Sequence, residues 1–154
     1  MSESKENTIV LISCVKRKID TTNGPVLAKN LYDSPLFKKS LQYAKEVLNV
    51  GEDRIFILSA KHYLLSLNQP ILKYEQTLNN ASAKERKEWA DIVWQQLSKR
   101  FSADTKYIIL AGKNYLDYLI GSHRISNCQL PLDGMPMGKR LPALNKAIKN
   151  KTIL

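Results

Sequence analysis

The sequence predicts an α/β protein: a three-layer α/β/α arrangement around a mostly parallel central sheet of about four strands. Short unbroken apolar runs are the first reason. Thr8 to Ile12, Ile55 to Leu58, Tyr107 to Leu110 and Cys128 to Leu132 are rich in strand formers and too short for helices. Such runs suit strands buried on both faces, as in a parallel sheet covered by helices. Segments of helical period between them are the second reason, since strands alternating with helices favour parallel pairing. The third is how the runs end, in small residues followed by a lysine. The endings are Ser13-Cys14-Val15-Lys16-Arg17-Lys18, Ser59-Ala60-Lys61-His62, Ala111-Gly112-Lys113-Asn114-Tyr115 and Asp133-Gly134-Met135-Pro136-Met137-Gly138-Lys139-Arg140. In open α/β sheets ligands bind outside the carboxyl ends of the strands. These loops are therefore expected to converge on one pocket lined with cations.

The elements follow in order. After the first strand, residues 19–30 contain Thr21-Thr22-Asn23-Gly24-Pro25 without clear periodicity and read as a loop. Ser34 then offers an N-cap, and Pro35 sits at the first helical position, where its missing N–H costs nothing. Phe37, Leu41, Ala44 and Leu48 keep the spacing of one helical face, and Asn49-Val50-Gly51 ends that helix. The second strand begins near Arg54. Residues 63–80 show no sustained period and contain Pro70, so they read as a long ordered loop over the pocket. Ser82 and Glu85 form a capping box, and Trp89, Val93 and Leu97 repeat every fourth residue along the helix that follows. Its tryptophans read as core. The third strand leads to a short helix, Tyr115 to Ile120, closed by Gly121; the fourth begins near Ile125. A last helix spans about Leu141 to Asn150. No internal repeat, low-complexity tract or linker interrupts this, so residues 1–154 read as a single domain.

Composition narrows the function classes. Hydrophobic residues make up 44% and charged residues 25%, the ordinary balance of a globular protein. The 24 Lys and Arg against 14 Asp and Glu leave a net charge of +10, which points to a polyanionic partner such as nucleic acid or a nucleotide. The competing reading is a lysine-rich exterior and no more. The first eight residues lack a signal-peptide core and no apolar run approaches transmembrane length, so the expectation is a cytoplasmic protein with no membrane. Cys14 and Cys128, far apart, read as reduced thiols rather than a disulfide scaffold.

The strand-end loops carry the candidate chemistry. Lys16, Lys61, Lys113 and Lys139 add positive charge where backbone amides are already disposed to bind anions. Ser13, Ser59, Gly112, Gly134 and Gly138 would let a phosphate approach the backbone. Gly134 to Lys139 is one residue short of a phosphate loop, and Arg140 stands where a Ser or Thr would hold magnesium, which excludes a P-loop NTPase. Cys14 beside Lys16, Arg17 and Lys18 has surroundings that favour a thiolate, against the plainer reading of a small residue packed at a strand end. His62 directly follows a buried strand; it reads either as a catalytic or binding imidazole or as a cap on the next turn. His123, near a Gly-Ser turn, reads as exposed. Tyr74 and Glu75 pair a ring that can stack on a base with a carboxylate that can polarise water. Asp133 is the other carboxylate of a strand-end loop, and Asp33 reads as a complement to a helix dipole. With two His, two Cys and no clustered carboxylates, no metal site and no cofactor are expected.

Ser13 to Lys18, Leu31-Tyr32-Asp33-Ser34-Pro35-Leu36-Phe37-Lys38, Ile57-Leu58-Ser59-Ala60-Lys61-His62, Lys73-Tyr74-Glu75-Gln76-Thr77-Leu78 and Gly138-Lys139-Arg140-Leu141 together resemble one family. It is a domain-of-unknown-function family of short bacterial and phage proteins, distantly similar to the uracil-DNA glycosylase superfamily. The resemblance covers nearly the whole chain and implies a three-layer fold whose strand-end loops bind a base or nucleotide. The family often has Gly where this chain has Tyr63, and Asp where it has Glu75. Neither the water-activating GQDPY-type loop nor the HPSP-type loop of true uracil-DNA glycosylases is recognisable, so uracil excision does not transfer.

The sequence is thus read as a base- or nucleotide-recognising protein, in catalytic form an N-glycosylase acting on a modified base in nucleic acid. Lys16, Lys18, Lys61, Lys113 and Lys139, with Arg140, would hold phosphates. Tyr74 or Tyr115 would stack on the base. His62, Glu75 or Asp133 would position water at the anomeric carbon. A glycosylase must draw the base out of its stack, so a basic face with an aromatic-lined pocket is the expected design. The alternative is a non-catalytic protein that sequesters a nucleotide or docks on nucleic acid, favoured by the few carboxylates. A third reading is a protein-interaction module without pocket chemistry.

Overall fold

The computed structural model describes residues 7–121 and 124–154. At its centre lies β1 (Thr8–Ser13), flanked on one side by β3 (Ile55–Ser59) and on the other by β6 (Lys106–Leu110), both parallel to it. The two-residue β7 (Cys128–Gln129) extends the sheet in parallel beyond β6, and β4 (Tyr63–Ser66) runs antiparallel along the outer edge of β3. The order is β4-β3-β1-β6-β7. Ile9 through Ile12 and all of β3 are buried, so side chains on both faces of the central strands are covered. That burial explains why these strands read as continuous apolar runs rather than alternating ones.

Helices supply the cover. Pro35 opens α2 (Pro35–Glu46), with Ser34 at the N-cap position but making no side-chain cap bond. The helix turns Phe37, Tyr43 and Ala44 inward and packs against β1 and α5 (Met137–Asn150). The capping box is formed in full. Ser82 accepts from the Glu85 amide, while Glu85 accepts from the Ser82 amide, and α3 (Ala83–Arg100) runs from there to Arg100. Along it Trp89, Val93 and Leu97 are buried, and the indole N–H of Trp89 donates to the Ser59 carbonyl at 2.8 Å, tying α3 to the end of β3. The tryptophan ring is core, as its spacing predicts.

Several boundaries differ from the sequence reading. The loop over residues 19–30 contains β2 (Val26–Leu27) and a single helical turn, α1 (Ala28–Leu31). β2 pairs with β5 (Pro70–Ile71) in a separate antiparallel ribbon. Residues 63–80 are thus not all loop: β4, β5 and a 3-10 turn at Leu78–Asn80 lie within them. The short helix after β6, α4 (Lys113–Leu116), begins two residues earlier than expected. α5 begins four residues early, at Met137 rather than Leu141, and takes Pro142 into its second turn. Gly138, Lys139 and Arg140 therefore belong to a helix, not a loop. No helix among the described residues is long and apolar enough to cross a membrane.

Candidate functional site

From β1 the chain passes first to β3 on one side and only later to β6 on the other, so the direction of winding reverses between β1 and β6. A crevice opens at such a reversal, outside the carboxyl ends of the two strands, because their connections leave in opposite directions. Here it is a cleft of about 530 Å3. The segment after β1, Ser13 to Lys16 with Lys18, forms one wall, and Ala111 to Tyr115 after β6 forms another. Glu75, Gln76, Thr77 and Asn79 come across from the irregular segment. Met137 and Arg140 of α5 close the rim, and Leu36, Phe37 and Ser40 of α2 supply a largely apolar side.

Local bonds hold this arrangement. Thr77 caps the 3-10 turn by accepting from the Asn79 amide, and the Asn114 side-chain amide donates to the Asn79 carboxamide oxygen at 2.8 Å. The irregular segment is thereby pinned to α4. A Cβ built on Gly112 would lie 4.0 Å from an Arg140 guanidinium nitrogen, which places that cation beside the end of β6. Arg140 donates to the Met135 carbonyl at 3.3 Å. Cys14 is buried, and its sulfur shares a hydrogen bond of 3.1 Å with the hydroxyl of Tyr115, whose ring meets Trp89 edge to face. Burial is the largest influence on Tyr115 and raises its pKa well above the ordinary phenol value, so the hydroxyl stays protonated at neutral pH.

Lys18 is only 9% exposed although it lines the cleft. Its flanks are clamped to the 31–33 segment, with Asp33 donating to the Arg17 carbonyl and Ile19 to the Leu31 carbonyl. Its ammonium nitrogen donates to the Lys16 carbonyl at 3.2 Å and lies 4.4 Å from the centroid of the Tyr74 ring. Burial pulls its pKa below the usual lysine range; Cys14 and Glu75 oppose the shift and Lys73 adds to it.

Of the residues picked out from sequence, Ser13, Cys14, Lys16, Lys18, Glu75, Gly112, Lys113, Tyr115 and Arg140 meet in the lining. Ser59 and Tyr74 lie behind it. The Tyr74 hydroxyl bonds Tyr32 at 2.6 Å and Ser59 at 2.8 Å, and burial foremost raises the pKa of both tyrosines. With its ring 4% exposed, Tyr74 is not a surface on which a base can stack; Tyr115 is the tyrosine of the lining. His62 packs edge to face on Tyr74 at 5.4 Å, its backbone N–H donates to Ser59, and its buried Nε2 has no hydrogen-bond partner. Burial, with Lys61 beside it, lowers the His62 pKa and favours the neutral imidazole. Lys61, Asp133, Gly134 and Lys139 are exposed and stand outside the lining, as does His62. The physical reason for Lys61 and His62 is that β3 turns back into β4 as a hairpin, so its loop is directed to the sheet edge rather than over β1. Lys139 sits on α5, one position before the rim residue Arg140. His123 lies outside the described residues.

Sequence reasoning missed Thr77, Asn79, Asn114 and Met137. Thr77, Asn114 and Met137 lie inside quoted stretches without a role assigned to them, and a Thr capping signal was readable at Thr77; nothing flagged Asn79. Among the described residues no three His, Cys, Asp or Glu side chains are grouped to hold a metal ion.

Fold and site define an α/β protein with a cation-lined cleft at the carboxyl edge of a mostly parallel sheet. The chain belongs to a family of unknown function (DUF6884), whose family model matches residues 9–146 and so spans every segment that builds the cleft. No curated protein and no solved structure matches it.

Proposed function

We propose that this protein recognises a nucleotide, free or within a nucleic acid, and acts on it as an N-glycosylase toward a modified base. The charge of the cleft carries the reading. Lys16, Lys113 and Arg140 come from three separate segments to a lining whose carboxylate, among the described residues, is Glu75. Such a lining favours a phosphate, and its partly exposed apolar side chains, Val15 and Leu36, can meet the flat face of a base. The volume lies within the range of small-ligand sites. Glu75 is the group this lining offers for proton transfer at the anomeric carbon. A three-layer fold of the uracil-DNA glycosylase kind and a cytoplasmic setting that keeps Cys14 and Cys128 as free thiols are part of the same proposal.

Mass spectrometry of the products after incubation with DNA, RNA and a panel of nucleotides tests it. The expected result is a released base with an abasic strand or free sugar phosphate left behind, and Glu75→Gln slows release by about 10²- to 10⁴-fold while binding persists. A non-catalytic, nucleotide-sequestering protein is the second reading, favoured by His62 and Asp133 standing outside the lining. Its signature is an intact nucleotide retained with no base released. Neither bound nucleotide nor released base would defeat both readings.

A further inference from the structure

Lys18 is the one buried lysine among the described residues, and it takes part in no ion pair there. An ammonium removed from water is destabilised by several kcal/mol unless a carboxylate or a set of hydrogen bonds replaces the lost solvation. Lys18 has one hydrogen bond, to the Lys16 carbonyl, and two aromatic rings nearby, Tyr74 at 4.4 Å and Tyr32 at 5.8 Å, but no carboxylate within bonding distance among the described residues. The other cations of the lining are differently placed. Lys16 and Lys113 are exposed and Arg140 is half-buried, all positions where water completes their solvation. A lysine needed only to attract phosphate gains nothing from being buried. A lysine that must be a free amine does, because desolvation is the usual way such amines are kept unprotonated and nucleophilic. Its backbone is fixed on both sides by hydrogen bonds to the 31–33 segment, so the side chain is held against the wall of the cleft rather than sweeping the surface.

We propose that Lys18 is the nucleophile of the N-glycosylase reaction and forms a Schiff base with the sugar of its substrate. This rests on the nucleotide reading of the same cleft. The Nζ lone pair forms a bond to C1′ as the glycosidic bond breaks, and that bond's electron pair leaves with the base, which takes up a proton. Glu75, the carboxylate in the lining, accepts a proton from the nitrogen. The nitrogen lone pair then forms C1′=N as the C1′–O4′ bond opens, with O4′ taking a proton. Water adds to the imine carbon and returns the amine and a sugar aldehyde, so the net reaction is hydrolysis and no oxidant or reductant is needed. The scheme also fits the shortage of carboxylates, because the attacking group is the protein's amine and no buried base is required to deprotonate water.

The test is reductive trapping. The full chain is incubated with sodium cyanoborohydride and either an oligonucleotide carrying one abasic site or ribose 5-phosphate, both of which present the aldehyde sugar whatever base was lost. A covalent adduct whose peptide maps to Lys18 is the expected result. Lys18→Arg supplies a basic side chain of similar reach that cannot form an imine, so its adduct should fall to background in a protein that stays folded. Lys18→Met, uncharged and of similar length, should do the same if arginine does not fit. Adducts spread over exposed lysines, or unchanged trapping in either folded variant, overturn the assignment. Native mass spectrometry with unmodified nucleotides separates the two claims. Nucleotide binding without a Lys18 adduct refutes the nucleophile and leaves the binding reading standing, whereas loss of both refutes both.

Discussion

Tyr63 is held with φ at +59°, in the left-handed region that a side chain with a Cβ occupies only at a cost. It is the residue where the hairpin leaves β3 and enters β4, directly after Ser59 to His62. The backbone must reverse there while Ser59 keeps its bonds to Tyr74 and to the His62 amide. Glycine enters that region freely, so it would meet the angle without strain. The tyrosine ring compensates by packing, half-buried, against the core. The prediction therefore compares two variants that both lose the ring. Tyr63→Gly should be more stable than Tyr63→Ala by roughly 0.5–1 kcal/mol, the strain relieved less the extra freedom of glycine in the unfolded chain. That reverses the usual order of these residues in regular structure. Urea denaturation of the pair checks it, and equal midpoints would mean the turn relaxes when the ring is removed.

Elements are joined by charge as well as by packing, and Glu52 is the clearest case. It stands in the 3-10 turn at Glu52–Arg54, just before β3, and receives Lys29 of α1 at 3.0 Å and Lys45 of α2 at 2.8 Å, with Asn68 also donating. Those lysines hold its carboxyl down to about 2, from an ordinary value of 4.5. A carboxyl depressed in the folded state contributes stability that is present above its unfolded value and lost as pH falls through its folded one. The window here is pH 4.5 down to about 2. Glu52→Gln should flatten the loss of stability across that window and lower stability at pH 7, read from denaturant midpoints at several pH values; parallel curves for the two proteins would refute the linkage. At this scale the sequence was legible where one physical signal governed. Period and capping placed α3 and α2, and unbroken apolar runs placed β1, β3 and β6. The residues 63–80 were misread because β4 is a four-residue edge strand and β5 has two residues, each too short to show a period. The start of α5 was hidden by Gly138 and Pro142, helix breakers on average that are tolerated here in its first two turns. The site divides in the same way. Loops after β1 and β6 were found because they follow buried strands, while the β3 loop was misplaced because a hairpin and a crossover begin alike in sequence.

The whole molecule carries a net charge of +10, and the cleft places three cations of that surplus, Lys16, Lys113 and Arg140, with the buried amine of Lys18 around the carboxylate of Glu75. These two facts make different demands on a partner. A free nucleotide engages only the cleft and meets few phosphate contacts, whereas a nucleic acid strand passing over it would also meet exposed cations such as Lys139 on α5 and Lys61 at the hairpin. Each phosphate neutralised releases condensed counterions, so the logarithm of the affinity falls with the logarithm of salt concentration by about 0.7–0.9 per contact. For a polynucleotide partner, binding measured from 50 to 200 mM salt should lose at least a hundredfold, on the order expected of several contacts. Lys16→Ala and Arg140→Ala should each reduce the slope by about one contact without changing sequence preference. Lys139→Ala then discriminates the partner. Lying one residue outside the lining, it should reduce the slope for a strand and leave a mononucleotide's affinity unchanged. A shallow slope with both ligands, untouched by Lys139→Ala, would place the physiological ligand wholly within the cleft and leave the rest of the positive surface without a role in binding.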